Sequence, residues 1–152
     1  MSNSGGEQVL APLSRDRIEE VMRLKGWSYS IDSDGDLTGT WDHNRFYFFV
    51  TGNEKEILQV QARWRQDLPI ELRSDVLLAI NEWHQRRLWP KGYVHVDDDG
   101  RLWVHAEHVV DWEHGITTDQ LMLTITCAIS TSVQLFEHLS ERFSPTFGPS
   151  SS

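Results

Sequence analysis

"NEWHQRRLWPKGYVHVDDDGRLWVHAEH", residues 81–108, decides how the chain folds. Its left end continues a series, Leu72, Val76, Leu77, Ile80 and Trp83, with the spacing of a helix that buries one face. Pro90 stops that helix, because proline lacks a backbone donor and disfavours helical backbone at Trp89. To its right the period changes from helical to alternating. Val94 and Val96, then Leu102, Val104 and Ala106, are apolar at every second position. All five share a face only if Val96 pairs with Leu102, which leaves the loop Asp98-Asp99-Gly100 with glycine at the left-handed position. The stretch is therefore a helix end, a proline break and a hairpin.

The same turn chemistry recurs upstream. "WSYSIDSDGDLTGTW", residues 27–41, alternates, with Trp27, Tyr29 and Ile31 on one face and Leu37, Gly39 and Trp41 continuing it. Pairing Ile31 with Leu37 gives the loop Ser33-Asp34-Gly35. "RFYFFVTG", residues 45–52, is apolar on both faces, the pattern of a central strand. "EILQVQARWRQ", residues 56–66, places Leu58, Val60, Ala62 and Trp64 on one side and Gln59, Gln61, Arg63 and Arg65 on the other.

Helices flank these strands. Ser14 as N-cap, Asp16 and Glu19 in the first turn, and Gly26 just past the end predict a helix over 15–25. Thr117 and Gln120 form a capping box, with Ile116 and Leu121 placed to staple it. Leu121, Ile125, Ala128, Ser132, Phe136, Leu139 and Phe143 then line one side of a final helix of about 25 residues. The order is α-β-β-β-α-β-β-α. Short links between strands predict a mainly antiparallel sheet with helices gathered on one face, an α+β domain over residues 14–143. Residues 1–13 and 144–152 are polar and small and are expected to be disordered.

Composition narrows the function. Over 152 residues, 14 Lys and Arg face 23 Asp and Glu, a net charge of -9 that repels nucleic-acid backbones. No apolar run approaches the length of roughly 18 residues needed to cross a bilayer, and Met1 to Leu13 does not read as a signal peptide. The single Cys127 excludes an intrachain disulfide and any multi-cysteine metal site, which suits a reducing cytoplasm. No cofactor motif occurs, and the sequence lacks GxSxG, P-loop, HExxH and GxGxxG patterns, so a non-enzymatic protein is expected. The triplets Asp32/Asp34/Asp36 and Asp97–Asp99 lack the glycine and glutamate spacing of a calcium loop and read as hairpin turns.

Trp27, Trp41, Trp64 and Trp83 fall on the apolar patterns and are expected in the core. Trp103 is out of phase with them, opposite the Val/Leu face of the last hairpin, together with Tyr93, His95 and His105. With helices on one side of the sheet, the other side carries Tyr93, His95, Trp103 and His105 beside Arg63 and Arg65. Aromatic and arginine side chains in that mixture suit a protein-binding face. A second reading makes His95, His105 and His108 a small-ligand or metal-responsive site, although His105 and His108, three apart on a strand, point to opposite faces.

"GWSYSIDSDGDL" at 26–37, "NEWHQRRLWPKGYV" at 81–94, "DDDGRLWVHAEH" at 97–108 and "GITTDQL" at 115–121 resemble the YbjN domain family, described as bacterial sensory transduction regulators. Family members commonly carry a second asparagine after the tryptophan, where this chain has His84. The resemblance implies a fold similar to type III secretion chaperones, which are small, acidic, usually homodimeric and bind extended segments of client proteins. The expectation is thus a homodimeric adaptor or chaperone-like module that binds an unidentified client, with no nucleic-acid or membrane partner.

Overall fold

The computed structural model, which describes residues 9–147, holds the expected elements in the expected order with one strand more, nine in all, because the first hairpin supplies two strands ahead of the two that follow it. They are α1 (Arg15–Lys25), β1 (Ser30–Ile31), β2 (Leu37–Trp41), β3 (Asn44–Thr51), β4 (Ile57–Pro69), α2 (Arg73–Arg86), β5 (Lys91–Val96), β6 (Arg101–Asp111) and α3 (Thr118–Phe147). A 3-10 turn, Ile70–Leu72, joins β4 to α2. All strand pairs are antiparallel, and the order across the six-stranded sheet is β1-β2-β3-β4-β6-β5. The connection through α2 and β5 therefore lets β6 return beside β4, at the centre of the sheet.

Both hairpins turn as the alternation requires. Ile31 pairs with Leu37 and Val96 with Leu102. Gly35 and Gly100 have φ of 86° and 75°, backbone that other residues adopt only with strain. In each turn one aspartate closes the loop. Asp32 Oδ1 accepts from the Asp34 and Asp36 amides, and Asp97 Oδ1 from those of Asp99 and Arg101. The acidic triplets are thus used by the turns.

One face of the sheet is the core. Phe46, Phe48, Leu58, Val60, Ala62, Trp64, Leu68, Leu102, Val104 and Ala106 are buried beneath the helices. Against them α1 places Ile18, Val21 and Met22, and α2 places Val76, Ala79, Ile80 and Trp83. The predicted stripe of α3, Leu121, Ile125, Ala128, Ser132, Phe136, Leu139 and Phe143, is buried throughout. Truncating a ring such as Phe136 there costs about 3–5 kcal/mol. The capping box forms in both directions. Thr117 Oγ1 accepts from the Gln120 amide and Gln120 Oε1 from the Thr117 amide, each at 3.0 Å. Gly92 lets β5 pass between two helices, since a Cβ there would lie 3.1 Å from Ile80 and 3.3 Å from Leu135.

Several expectations are corrected. The described structure begins before residue 14: Ala11 bridges to Ile116, and Leu13 is buried. It also extends past 143, because α3 continues to Phe147. The remaining terminal residues, 1–8 and 148–152, lie outside the described residues. Leu77 is 38% exposed and Ala79 takes its place in the core, because α2 turns the 76–79–80–83 stripe inward. Ile31 is 41% exposed, since β1 is a two-residue edge strand that no helix covers. Trp64 and Trp83 are core, whereas Trp27 and Trp41 are only partly buried and pack edge-on against each other at 5.5 Å.

Candidate functional site

The uncovered face of the sheet is built by strand register. Directly paired residues share a face, so one row runs across four strands as Arg45, Arg63, His105 and Tyr93. The next row is Tyr47, Gln61, Glu107 and Lys91, followed by Phe49, Gln59 and Val109. Beyond a β-bulge in β4 between Arg63 and Asp67, Trp103 pairs with Asp67 on one side and His95 on the other.

These side chains are held in place by one another. The Arg63 guanidinium lies 4.6 Å from the centroid of the Trp103 ring, and Arg45 lies 5.6 Å from that of Tyr47. Tyr93 stacks on His105 at 5.1 Å, His95 meets His105 edge-on at 6.3 Å, and Tyr47 stacks on Phe49 at 5.9 Å. The Trp103 indole N–H donates to Asp97 Oδ2 at 2.9 Å, Gln59 donates to Glu107 at 2.6 Å, and Gln61 donates to the Tyr93 hydroxyl. The second hairpin's turn therefore orients Trp103 through Asp97. The result is a preorganised aromatic surface with arginines laid over it.

Electrostatics follow from this packing. Burial, then the Arg63 charge and His95, lower the His105 pKa to about 4, so the ring is neutral at neutral pH and serves as an aromatic surface. Burial also raises the Tyr93 hydroxyl above its usual value, only partly countered by Gln61, so it stays protonated. Asp97 is lowered, chiefly by the Trp103 indole, and remains a carboxylate.

Of the six residues predicted, the face unites Arg63, Tyr93, His95, Trp103 and His105. Arg65 is exposed at the bulge, with its backbone N–H donating to Asn44 Oδ1. Its exposure keeps the alternation with buried Trp64, and the register shift between Arg63 and Asp67 leaves it without a directly paired residue on β6. Sequence reasoning missed Arg45, Tyr47 and Phe49. Their signal was present: in "NRFYFFVT" positions 45, 47 and 49 alternate with the buried 44, 46 and 48.

His108 stands apart from the other histidines of the hairpin. It is buried on the helix-covered side, stacked on Trp89 at 4.4 Å and hydrogen-bonded to Thr131 Oγ1 at 3.1 Å. It therefore does not join His95 and His105. The Thr131 hydroxyl already donates to the Cys127 carbonyl at 2.8 Å, so His108 Nε2 carries the proton and donates to Thr131. His84 accepts from the Gly92 amide at 3.0 Å and ties α2 to β5.

Fold and face together define an α+β protein whose antiparallel sheet has one helix-covered side and one open, aromatic and arginine-bearing side. The chain belongs to the YbjN family: the family model, described as "Putative bacterial sensory transduction regulator", matches residues 14–141. Two solved structures share the fold. The crystal structure of "YbjN, a putative transcription regulator from E. coli" superposes with a TM-score of 0.74 at 10% identity, covering 90% of this chain and 97% of that one. An uncharacterized protein from Methanothermobacter thermautotrophicus gives a TM-score of 0.61 at 12% identity, covering 86% and 99%. No curated protein matches the chain. Among the described residues, no helix is long and apolar enough to cross a membrane.

Proposed function

We propose that this YbjN-family protein is a non-enzymatic, cytoplasmic regulator that acts as an adaptor or chaperone-like module, binding a client protein on the open sheet face. The observation that carries the proposal is the preorganised cluster of Arg63, Trp103, His105, Tyr93 and His95, with Tyr47 and Phe49 beside it. Rigid aromatic and arginine side chains contribute most of the energy at protein interfaces, and here their orientation is fixed before binding. The net charge of -9 supports a protein client over a nucleic acid. Homodimerisation is part of the proposal, supported by exposed apolar Leu77 and Leu78 on α2 and Leu123 on α3.

Affinity capture from native cytoplasm with wild type and a Trp103→Ala, Arg63→Ala double variant tests it, once circular dichroism shows that the variant folds. A specific protein retained by wild type and lost by the variant is the expected result. A client held equally by both would remove the site. The contact between His95 and His105 favours a second reading, a metal- or ligand-responsive sensor. Melting that shifts with zinc or with a chelator would support that reading.

A further inference from the structure

In the register of β3 and β4, Arg45 lies directly opposite Arg63. Like charges facing each other across an antiparallel pair destabilise a sheet, and the direct partner of a cation is ordinarily an anion or a neutral group. The next residue along the row beyond Arg63 is His105, whose neutrality supplies no counter-charge. The two arginines turn away from each other. Arg45 reaches towards β2, donating to Thr38 Oγ1 at 3.3 Å over the Tyr47 ring, whereas Arg63 reaches towards β6 and lies over Trp103.

The acids of the same face are already engaged. Glu107 takes the Gln59 amide, Asp97 takes the Trp103 indole N–H, and Asp67 pairs with Arg101 at 2.7 Å. Among the described residues, neither Arg45 nor Arg63 has a carboxylate partner, in a chain with nine more acidic than basic residues. With acids this abundant, the unneutralised pair at the centre of the open face marks where an anion from outside is received.

We propose that Arg45 and Arg63 are the acid-recognising centre of this face, and that the segment docking there carries aspartate or glutamate next to aromatic residues. The proposal rests on the reading of the open face as a docking surface. Acidic side chains of the segment pair with the guanidinium groups where they lie, one beside Thr38 and Tyr47 and one over Trp103, and offset their charge. Neighbouring aromatic side chains of the segment stack on Tyr47 and Phe49 on one side and on Trp103 and Tyr93 on the other. Charge favours a protein segment over a nucleic acid. A polyanion would bring further phosphates against Glu107, Asp97 and Asp67, whereas a segment with one or two acids meets only the arginine pair.

The test is a set of fluorescence-anisotropy titrations of the full chain with labelled short random copolymers that carry only one or two charged residues per chain. Glu–Tyr copolymer is compared with Lys–Tyr copolymer and with a thymidylate single strand. The Glu–Tyr copolymer is expected to bind, more weakly as salt rises, and about tenfold or more weaker to a folded Arg45→Gln, Arg63→Gln variant. Lys–Tyr copolymer and thymidylate are expected to bind far more weakly than Glu–Tyr to wild type. Failure of Glu–Tyr to bind, equal binding of Lys–Tyr, tighter binding of thymidylate, or indifference to the arginine substitutions would each overturn the proposal. A Trp103→Ala arm separates the two readings. If Glu–Tyr binding falls with Trp103→Ala but not with the arginine changes, the docking face stands without its acid preference. If neither set of changes affects binding, the docking face fails as well.

Discussion

Acid should destabilise this fold through His108, by an amount set by its burial. The ring is 4% exposed, pressed against Trp89, and its pKa is lowered by burial to about 4 from an ordinary 6.5. The folded state therefore refuses a proton that the unfolded chain accepts. The histidine's contribution is fully present above pH 6.5 and is lost as pH falls from there towards 4. A gap of that size corresponds to at most about 3 kcal/mol at 1.36 kcal/mol per unit, and to about 2 kcal/mol once partial solvent access through Trp89 is discounted. His108→Leu removes the titration while keeping a buried apolar side chain, and Thr131 retains its bond to the Cys127 carbonyl. Urea denaturation at pH 7.5 and pH 4.5 compares the two proteins. At pH 7.5 the variant should be less stable by about 1 kcal/mol, from the lost stacking and hydrogen bond. At pH 4.5 the order should reverse, with the variant more stable by about 1 kcal/mol. His105 titrates in both proteins and cancels from the difference. A gap between wild type and variant that does not change with pH would refute the reasoning.

Other consequences are more local. Gly92→Val should lower stability by about 1–3 kcal/mol, read as a fall in urea midpoint, because a branched side chain has no room between Ile80 and Leu135. Gly100→Ala should cost about 1 kcal/mol by the same measurement, because its φ of 75° is strained for alanine. Asp97→Ala should free the Trp103 indole, seen as a shifted indole N–H resonance, and weaken client binding with the fold intact. Zinc or nickel should leave the melting temperature unchanged, because His108 lies on the face opposite His95 and His105; a rise of several degrees would favour the sensor reading.

Most of the architecture was legible because periodicity and turn chemistry agree in this chain. Val96 opposite Leu102 and Ile31 opposite Leu37 follow from keeping apolar residues on one face, and the capping box at Thr117 is a purely local signal. What was not legible depends on neighbours distant in sequence. Ile31 follows the apolar pattern, yet it lies on an edge strand too short to be covered. Leu77 and Ala79 exchange roles because the packing direction of α2 is set by β5 and α3, which the helical period does not encode. The bulge after Arg63 is also a tertiary feature, so the alternation that exposes Arg65 did not reveal that it has no directly paired residue on β6. Arg45 escaped notice because its significance lies in its cross-strand partner, which only the register reveals.

The most direct test of the docking face is photo-crosslinking in living cells. Benzoylphenylalanine would replace Tyr47 or Tyr93 on the open face, and Leu78 on α2 as the control. The account predicts an adduct with the same second protein from positions 47 and 93, lost when Arg63→Gln is added, and at most a self-adduct from position 78. Adducts with another protein from position 78 alone, with none from 47 or 93, would contradict it.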